Sequence, residues 1–268
     1  MTWWQAVLLA LIQGLTEFLP VSSSAHLIIP EAVFGWTEQG VLIDVMAHFG
    51  TLFSVLIYFR REVGEMLAGL VELAQRKLTR GSALALNLLV ATPPTLLAGF
   101  LLAAGGLDAA LRSPLLIAVT SIVFGVVLWL ADRWARQSRA MDTLTWRGAA
   151  LMGLAQVLAL LPGTSRSGIT MTAGRAVGLS REAAARFSML MSLPVIGAGG
   201  AYALLKLAGG EDAGSATLGQ GLVVAALSFV VAYAAIAVFL RFVTRIGFLP
   251  FMLYRVALGV AILLWIML

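Results

Sequence analysis

The stretch "LPGTSRSGIT", residues 161–170, interrupts an apolar run that extends from about residue 146 to residue 180. It places a proline, four hydroxyl side chains and an arginine among residues that are otherwise mostly apolar. Proline and hydroxyl residues favour turns and helix caps. A second stretch, "LPVSSSAH" at residues 19–26, interrupts the apolar run 3–35 in the same way. Each stretch therefore predicts two short apolar helices that are joined by a polar turn.

The composition of the whole chain indicates an integral membrane protein. Its 268 residues are 60% hydrophobic and 12% charged, with a mean hydropathy of +0.97. Soluble domains are nearer half apolar and a quarter charged. The chain has no cysteine, which excludes disulfides, thiolate metal sites and a cysteine nucleophile. We expect one membrane domain over residues 1–268.

Unbroken apolar runs predict the full membrane spans, because a bilayer core about 30 Å thick requires roughly 20 residues of helix. The predicted spans are 41–59, 83–105, 114–131, 187–206, 219–240 and 248–267. The broken runs 3–35 and 146–180 are too short on either side of their turns to cross. We predict that both are re-entrant hairpins, which enter and leave the membrane by the same face.

The distribution of basic residues supports this topology, with both termini outside. The predicted inside loops contain Arg60, Arg61, Arg76, Lys77, Arg80, Arg133, Arg136, Arg139, Arg147, Arg175, Arg181, Arg186, Arg241 and Arg245. The predicted outside loops contain Arg112 and Lys206, together with Glu31, Glu38, Asp108, Glu211 and Asp212. Such a bias follows the positive-inside rule. The net charge of +5 is therefore a matter of orientation, and we expect no nucleic-acid partner.

The two interrupted runs also resemble each other. "LPVSSS" at 19–24 aligns with "LPGTSR" at 161–166, which pairs Ser23 with Ser165. Gln13 and Gln156 precede the two prolines by seven and six residues, so that part of the match is loose.

An odd number of spans, three, separates the two hairpins, which turns the second copy upside down. The sequence thus predicts an all-α polytopic membrane protein with an inverted-topology repeat, over about 1–113 and 146–268. The two re-entrant helical hairpins would meet near the midplane, where membrane binding sites are often built from broken helices.

Ionisable groups within apolar segments are candidates for function because their burial is costly. They are Glu17, His26, Asp44, His48, Arg166 and Arg255. Glu17 shares a helix face with Gln13, so the pair could hold a divalent cation or one end of a proton relay. A helix-packing role is equally open for Gln13. His26 follows three serines and is a candidate base or nucleophile.

The remaining ionisable groups have less specific interpretations. Asp44 and His48 either border the site or mark the membrane interface, and we favour the interface. Arg255 requires a carboxylate or phosphate partner, which spacing does not identify.

The second turn has the composition of an anion site. Its hydroxyl donors include Ser165, Ser167 and Thr170. Gly163 and Gly168 allow close approach of the backbone. A helix that starts near Ser167 directs free N–H groups at the turn, which suits a phosphate, and the fork of Arg166 matches phosphate oxygens. A capped surface turn would leave this arginine unpaired in an apolar region, so we predict an anion site.

"QGLTEFLPVSSSAH" at 13–26 and "PGTSRSGIT" at 162–170 resemble the two signature motifs of the bacterial undecaprenyl-diphosphate phosphatases of the bacitracin-resistance type. The resemblance extends over essentially the whole chain, including "FLPFMLYR" at 248–255. It implies an enzyme of the bacterial inner membrane that removes the terminal phosphate of undecaprenyl diphosphate. This reaction recycles the lipid carrier for cell-wall synthesis, at a site that opens toward the periplasm.

The resemblance also implies roles for individual residues. The catalytic set would be Glu17, Ser22, Ser23, His26 and Arg166. The substrate-binding set would be Gly163, Ser165, Arg166, Ser167 and Thr170. A divalent cation, Mg²⁺ or Ca²⁺, would be held by Glu17 and Gln13. Many members have Glu at the position of Gln13, and an amide is a weaker ligand, which puts schemes with two carboxylates in doubt.

Three questions stay open at this level. The attacking group could be a turn serine, His26 or a water. A flippase for an isoprenyl phosphate lipid would use the same headgroup site, and inverted repeats are a transport architecture. Besides the isoprenyl lipid and membrane lipids, a homodimer partner is left open.

Overall fold

The computed structural model describes residues 1–27, 35–36, 40–106, 111, 113–135, 138–209 and 216–267, which contain helices and turns but no strand. The helices are α1 (Trp3–Thr16), α2 (Val41–Tyr58), α3 (Arg60–Ala74), α4 (Arg80–Ala91), α5 (Pro93–Ala104), α6 (Pro114–Trp134), α7 (Trp146–Val157), α8 (Arg166–Ala176), α9 (Arg181–Ala208), α10 (Leu218–Ile246) and α11 (Leu249–Met267). Residues 23–27 are also helical.

Within the described residues, six stretches of helix are long and apolar enough to cross a membrane, which confirms the predicted all-α multi-pass fold. They are α2, the pair α4–α5, α6, α9, α10 and α11. The predicted spans correspond to them, although α9 begins at Arg181, earlier than expected. Ser180 caps its N-terminus by accepting from Ala183 N–H at 3.1 Å, so a polar first turn is accommodated.

Two local features differ from the predictions. The second span is broken at Thr92, because Pro93 and Pro94 follow it and proline has no N–H to continue a helix. The predicted inside loop 60–81 is mostly helix α3. It packs so closely on the start of α4 that a side chain on Gly69 would overlap the Gly81 carbonyl.

The chain segments before α7 and after α8 meet at one end of the bundle. Arg139 N–H donates to Gly178 O at 3.0 Å, and Ser180 N–H donates to Arg139 O at 2.8 Å. Next to this pairing, Arg175 Nε lies 2.9 Å from Asp132 Oδ1. The chain on either side of the segment from α7 to α8 is therefore joined by backbone hydrogen bonds.

The first hairpin can be followed only in part. Trp4 lies against Trp36, with ring centroids 4.8 Å apart, so the chain has returned to the start of α1 by residue 36. Residues 28–34 of the predicted hairpin 3–35 lie outside the described residues, as do residues 37–39. The same holds for Asp108, Arg112, Arg136, Glu211 and Asp212, whose predicted positions outside or inside the membrane thus have no structural counterpart.

Each hairpin packs on a helical span through a hydroxyl and a glycine, which is Gly14 in the first hairpin, where a Cβ would lie 2.9 Å from Ser228 O. Ser228 Oγ of α10 donates to Ala10 O of α1 at 3.3 Å. Thr95 Oγ1 of α5 donates to Gly153 O of α7 at 3.4 Å. A Cβ on Gly153 would overlap the Ala91 carbonyl, so only glycine permits this approach. These contacts hold α1 and α7 against the neighbouring helices and so position the polar turns that follow them.

Candidate active site

The two polar turns have the same backbone conformation at one serine each. Ser22 has φ of 71° and Ser165 has φ of 68°, a left-handed conformation that is uncommon for residues other than glycine. Each serine caps the helix that follows: Ser22 Oγ accepts from Ala25 N–H at 3.4 Å, and Ser165 Oγ accepts from Gly168 N–H at 3.1 Å. The two turns are therefore conformational equivalents of each other.

This equivalence corrects the alignment made from the sequence. Letters alone paired Ser23 with Ser165, whereas the backbone pairs Ser22 with Ser165. The second turn contains one additional residue after its proline, and Gly163 accommodates it at φ of +87°. In the structural register, Gln13 and Gln156 both lie nine residues before their cap serine, and both are fully buried. The two glutamines, which are unequally spaced from their prolines, are thus equally spaced from their cap serines.

The two turns are in direct contact through side chains and backbone. Ser167 Oγ donates to Leu19 O at 2.9 Å, and Gly163 N–H donates to Ser24 Oγ at 3.4 Å. These bonds bring the N-termini of two short helices to one place inside the bundle. They also hold together the chemical groups of the two motifs.

Glu17 lies at the centre of this contact and is 8% exposed. Its Oε1 accepts from Arg166 Nη2 at 3.0 Å. Its Oε2 accepts from Ser23 Oγ at 3.1 Å and from Gln13 Nε2 at 3.0 Å. A hydroxyl on a buried carboxylate is the arrangement of a nucleophile with its base. A guanidinium on the same carboxylate compensates its charge.

A cavity of about 390 Å³ opens beside Glu17. Its polar lining consists of Glu17, Ser22, Ser23, Ser24, Asp44, His48, Thr95, Ser165 and Arg166. Of the predicted substrate-binding residues, only Ser165 and Arg166 face this cavity. The volume lies in the range of small-molecule sites.

Asp44 and His48 are part of the cavity wall, although the sequence favoured the membrane interface for them. His48 Nε2 lies 4.0 Å from Glu17 Oε2, and His48 Nδ1 donates to Asp44 O at 2.7 Å. Their spacing of four residues on α2 was the available signal. It did not show which side of α2 faces the hairpins.

His26, in contrast, is directed away from the cavity. Its Nδ1 lies 2.7 Å from Ser22 O, which identifies this nitrogen as the N–H donor, and its Nε2 lies 2.5 Å from Tyr254 Oη. Nε2 is then the acceptor for the phenol of Tyr254. Both ring nitrogens are engaged in this arrangement, so the imidazole fixes the first turn against α11.

Two further predicted site residues are buried in structural contacts. Thr170 Oγ1 lies 2.6 Å from Ser188 Oγ and 2.8 Å from Arg166 O. Arg166 Nη1 also donates to Ser188 O at 3.1 Å. Thr170 thus holds α8 against α9, next to the guanidinium. Ser167 has its hydroxyl on Leu19, as described above.

The oxygen atoms of Glu17 and Gln13 are suitable ligands for a hard divalent cation. Gln13 is fully buried, and its Oε1 has no hydrogen-bond partner within the described residues. Carboxylate and amide oxygens are ligands of Mg²⁺ and Ca²⁺, and Mg²⁺ is often shared between one or two carboxylates and substrate phosphates. No cluster of three or more His, Cys, Asp or Glu side chains occurs in the described part of the chain. A cation would therefore depend on phosphate oxygens for its remaining ligands.

The fold and the site define an α-helical multi-pass membrane protein with an open polar cavity beside two helix N-termini, where a serine and an arginine share one carboxylate. The chain belongs to a known family of this kind. Residues 6–261 match the family model described as "Bacitracin resistance protein BacA", which confirms the resemblance noted in the sequence.

Curated relatives are similar over almost their whole length. An undecaprenyl-diphosphatase of Maricaulis maris is 52% identical over 260 residues, covering 97% of each chain. One of Alteromonas mediterranea is 48% identical, covering 99% of this chain and 98% of the relative. One of Hahella chejuensis is 47% identical, covering 99% of both.

Proposed function

We propose that the protein hydrolyses undecaprenyl diphosphate to undecaprenyl phosphate and inorganic phosphate, and so recycles the lipid carrier. The names of the relatives give the substrate. The single observation that carries the chemistry is the chain of contacts from Ser23 through Glu17 to Arg166. It combines a nucleophile, a base and a phosphate-binding cation in one cavity.

Binding begins with an exchange of partners at Arg166. Without substrate, its guanidinium is paired with Glu17. A terminal phosphate in the cavity would accept hydrogen bonds from this fork and from the first N–H groups of α8, whose N-terminus is favourable for anions. This interaction strengthens as negative charge accumulates on the phosphoryl oxygens in the transition state.

The reaction follows from the position of Ser23. Its Oγ forms a bond to the terminal phosphorus while the bond from that phosphorus to the bridging oxygen breaks, and Glu17 accepts the serine proton. Undecaprenyl phosphate leaves. The proton on Glu17 passes to the leaving phosphate, which restores the carboxylate. A water then attacks the phosphoserine, and Glu17 accepts a proton from this water. As the bond from Ser23 Oγ to phosphorus breaks, Glu17 returns the proton to Ser23, and inorganic phosphate is released. Ser23 is favoured as the attacker because its hydroxyl faces the cavity and donates to a carboxylate.

The other residues of the two motifs support this centre. Ser22 and Ser165 cap the helices, Gly163 and Ser167 join the turns, and Thr170 holds the backbone of the arginine. A role for His26 as the base would require its ring to leave Tyr254. We therefore assign His26 to holding the first turn, with Glu17 as the base.

A divalent cation would be held by Glu17 and the amide oxygen of Gln13. It would supply positive charge to the diphosphate. We expect Mg²⁺ or Ca²⁺ because the two side chains that would hold the ion, Glu17 and Gln13, offer oxygen ligands.

We further propose that the hairpins are re-entrant, that the repeat is inverted, and that the site opens to the periplasm. The pairing of Arg139 with residues 178–180 supports the second hairpin, and the contact of Gln220 Nε2 with Met1 O at 2.9 Å groups two predicted outside segments. Cysteines at Gln75 and Gly209 test this orientation. In intact spheroplasts, an impermeant thiol reagent should label Gly209→Cys and should not label Gln75→Cys. The reverse pattern would reject the proposed orientation.

The proposed reaction is tested with purified protein in detergent and a long-chain isoprenyl diphosphate. We expect inorganic phosphate to appear, less of it with a chelator, and none above background with Ser23→Ala. A flippase without phosphatase activity would release no phosphate in this assay. With substrate labelled in the terminal phosphate, denaturation at neutral pH should trap an acid-stable label on Ser23, whereas an acid-labile label on His26 would reassign the nucleophile.

A further inference from the structure

Arg255, on α11, is fully buried behind the second turn. Its Nη2 donates to Gly163 O at 2.9 Å and to Thr164 O at 2.9 Å, with a longer contact to Thr120 O at 3.4 Å. Within the described residues, it has no ion pair with a carboxylate, and its Nε and Nη1 have no hydrogen-bond partner. The partner that the sequence led us to expect, a carboxylate or a phosphate, is thus replaced by backbone carbonyls.

Stability does not explain a guanidinium in this position. A buried charge without a counter-charge is costly, and apolar replacement of buried charged groups is often neutral or stabilising. Two glycines nevertheless leave space for the side chain. A Cβ on Gly125 would lie 3.1 Å from Arg255 Cβ, and a Cβ on Gly168 would lie 2.9 Å from Arg255 Nη1.

The bonds of Arg255 determine which way the second turn faces. A peptide group is planar, with its C=O and N–H on opposite sides. Because Arg255 draws the Thr164 carbonyl backward, the N–H of Ser165 in the same peptide points away from Arg255. Ser165 lines the cavity. In the opposite orientation, carbonyl oxygens would confront the phosphate and repel it.

The second effect is electrostatic. The guanidinium lies behind the N-terminus of α8, close to Gly168, and its charge has no carboxylate to compensate it. In a medium of low dielectric, such a charge acts over a longer distance than it does in water. It therefore adds to the favourable field for an anion that α8 and Arg166 provide at the front of the turn.

We propose that Arg255 is a positioning residue for phosphate binding: it orients the peptides of the second turn and supplies uncompensated positive charge behind them. This inference rests on the proposed function. Arg255 itself does not touch the substrate, since it is separated from the cavity by the turn.

The test compares Arg255→Met with Arg175→Met, a change to a second buried arginine whose partner is Asp132. Two quantities are measured: the melting temperature, and the Kd of an isoprenyl methylenediphosphonate, in which a carbon bridge prevents hydrolysis. For Arg255→Met we expect an unchanged or higher melting temperature and a Kd raised about tenfold or more. For Arg175→Met we expect a lower melting temperature and an unchanged Kd.

An unchanged Kd in folded Arg255→Met would overturn the inference. If that variant does not fold, Arg255→Lys decides, because it retains the charge and can donate to both carbonyls. A Kd within about threefold of the original supports the inference, whereas a loss of about tenfold in folded Arg255→Lys overturns it. Absence of diphosphonate binding by the unaltered protein would instead contradict the proposed function.

Discussion

The two polar turns have the same backbone conformation but lie next to side chains of opposite charge. In the structural register set by Ser22 and Ser165, Glu17 of the first hairpin corresponds to Leu160 of the second, and Arg166 of the second corresponds to Ser23 of the first. The cap serines, the buried glutamines and the hydroxyls after the caps occur in both. The comparison teaches that the backbone of the turn is present twice, whereas the proposed base and nucleophile belong to one turn and the proposed phosphate-binding arginine to the other.

The largest effect on turnover should come from Ser23, which corresponds in the first turn to Arg166 in the second. Ser23→Ala removes the proposed nucleophile, and we expect turnover to fall roughly 10⁴-fold or more. Ser24→Ala is the comparison variant: this serine faces the same cavity and accepts from Gly163 N–H, but it does not contact Glu17. It should retain turnover within about tenfold. Steady-state phosphate release by both variants would show whether attack depends on Ser23, and equal rates would reject it.

Loss of the carboxylate in the first hairpin ranks next. Glu17→Gln keeps the volume but cannot accept the serine proton, so we expect turnover to fall roughly 10²–10⁴-fold. The exposed Glu182→Gln should leave it unchanged. Phosphate release at saturating substrate measures both. Near-normal turnover in Glu17→Gln would mean that the first hairpin does not carry the chemistry.

Substitution of Arg166 in the second turn should have a smaller effect on turnover. Arg166→Ala removes one charge-assisted contact to the transition state, which we expect to cost about 3 kcal/mol, or about a hundredfold in turnover. The turnover of Arg166→Lys should lie between those of the unaltered protein and Arg166→Ala, because a point charge replaces a planar fork of donors. A kinetic comparison of the three proteins measures this order.

Melting temperatures separate a catalytic role of Arg166 from a purely structural one. Arg166→Ala leaves Glu17 buried without its partner and should destabilise the protein, whereas the double variant with Glu17→Gln should recover stability. Full turnover in well-folded Arg166→Ala would place the phosphate elsewhere in the cavity.

The two buried glutamines should give the smallest change in turnover and the clearest contrast. Gln13→Glu adds a carboxylate one turn from Glu17, so we expect turnover within about threefold and increased sensitivity to chelators. Gln156→Glu is the equivalent change in the other hairpin, where the only polar partner in the described structure is Thr95. It should destabilise the protein without altering chelator sensitivity. Titration with EDTA and thermal melts test both, and equal chelator sensitivity would exclude a cation at Gln13.

The sequence predicted those features that depend on composition and short spacing. Unbroken apolar runs located the spans, and the hydroxyl-rich interruptions located the turns. It also placed Glu17 and Arg166 at turns that meet. These properties are local, or they follow from the cost of burying charge.

Features that depend on packing across the molecule could not be predicted. Whether His48 faces the cavity or lipid depends on how α2 rotates against the hairpins. The one-residue shift between the turns depends on the φ of Gly163. Arg255 was recognised as requiring a partner, but carbonyl oxygens leave no signature in a sequence because every residue has one.

The contact between Glu17 and Arg166 also has a consequence for biogenesis. It joins residues that are 149 positions apart. At about 5–20 residues per second, the arginine is synthesised roughly 7–30 s after the glutamate. During that interval the carboxylate has no counter-ion, and an unpaired charge is not stable in an apolar environment. Until then the carboxylate is either protonated or close to the water boundary of the membrane. The buried ion pair is completed only when the second half of the chain packs against the first.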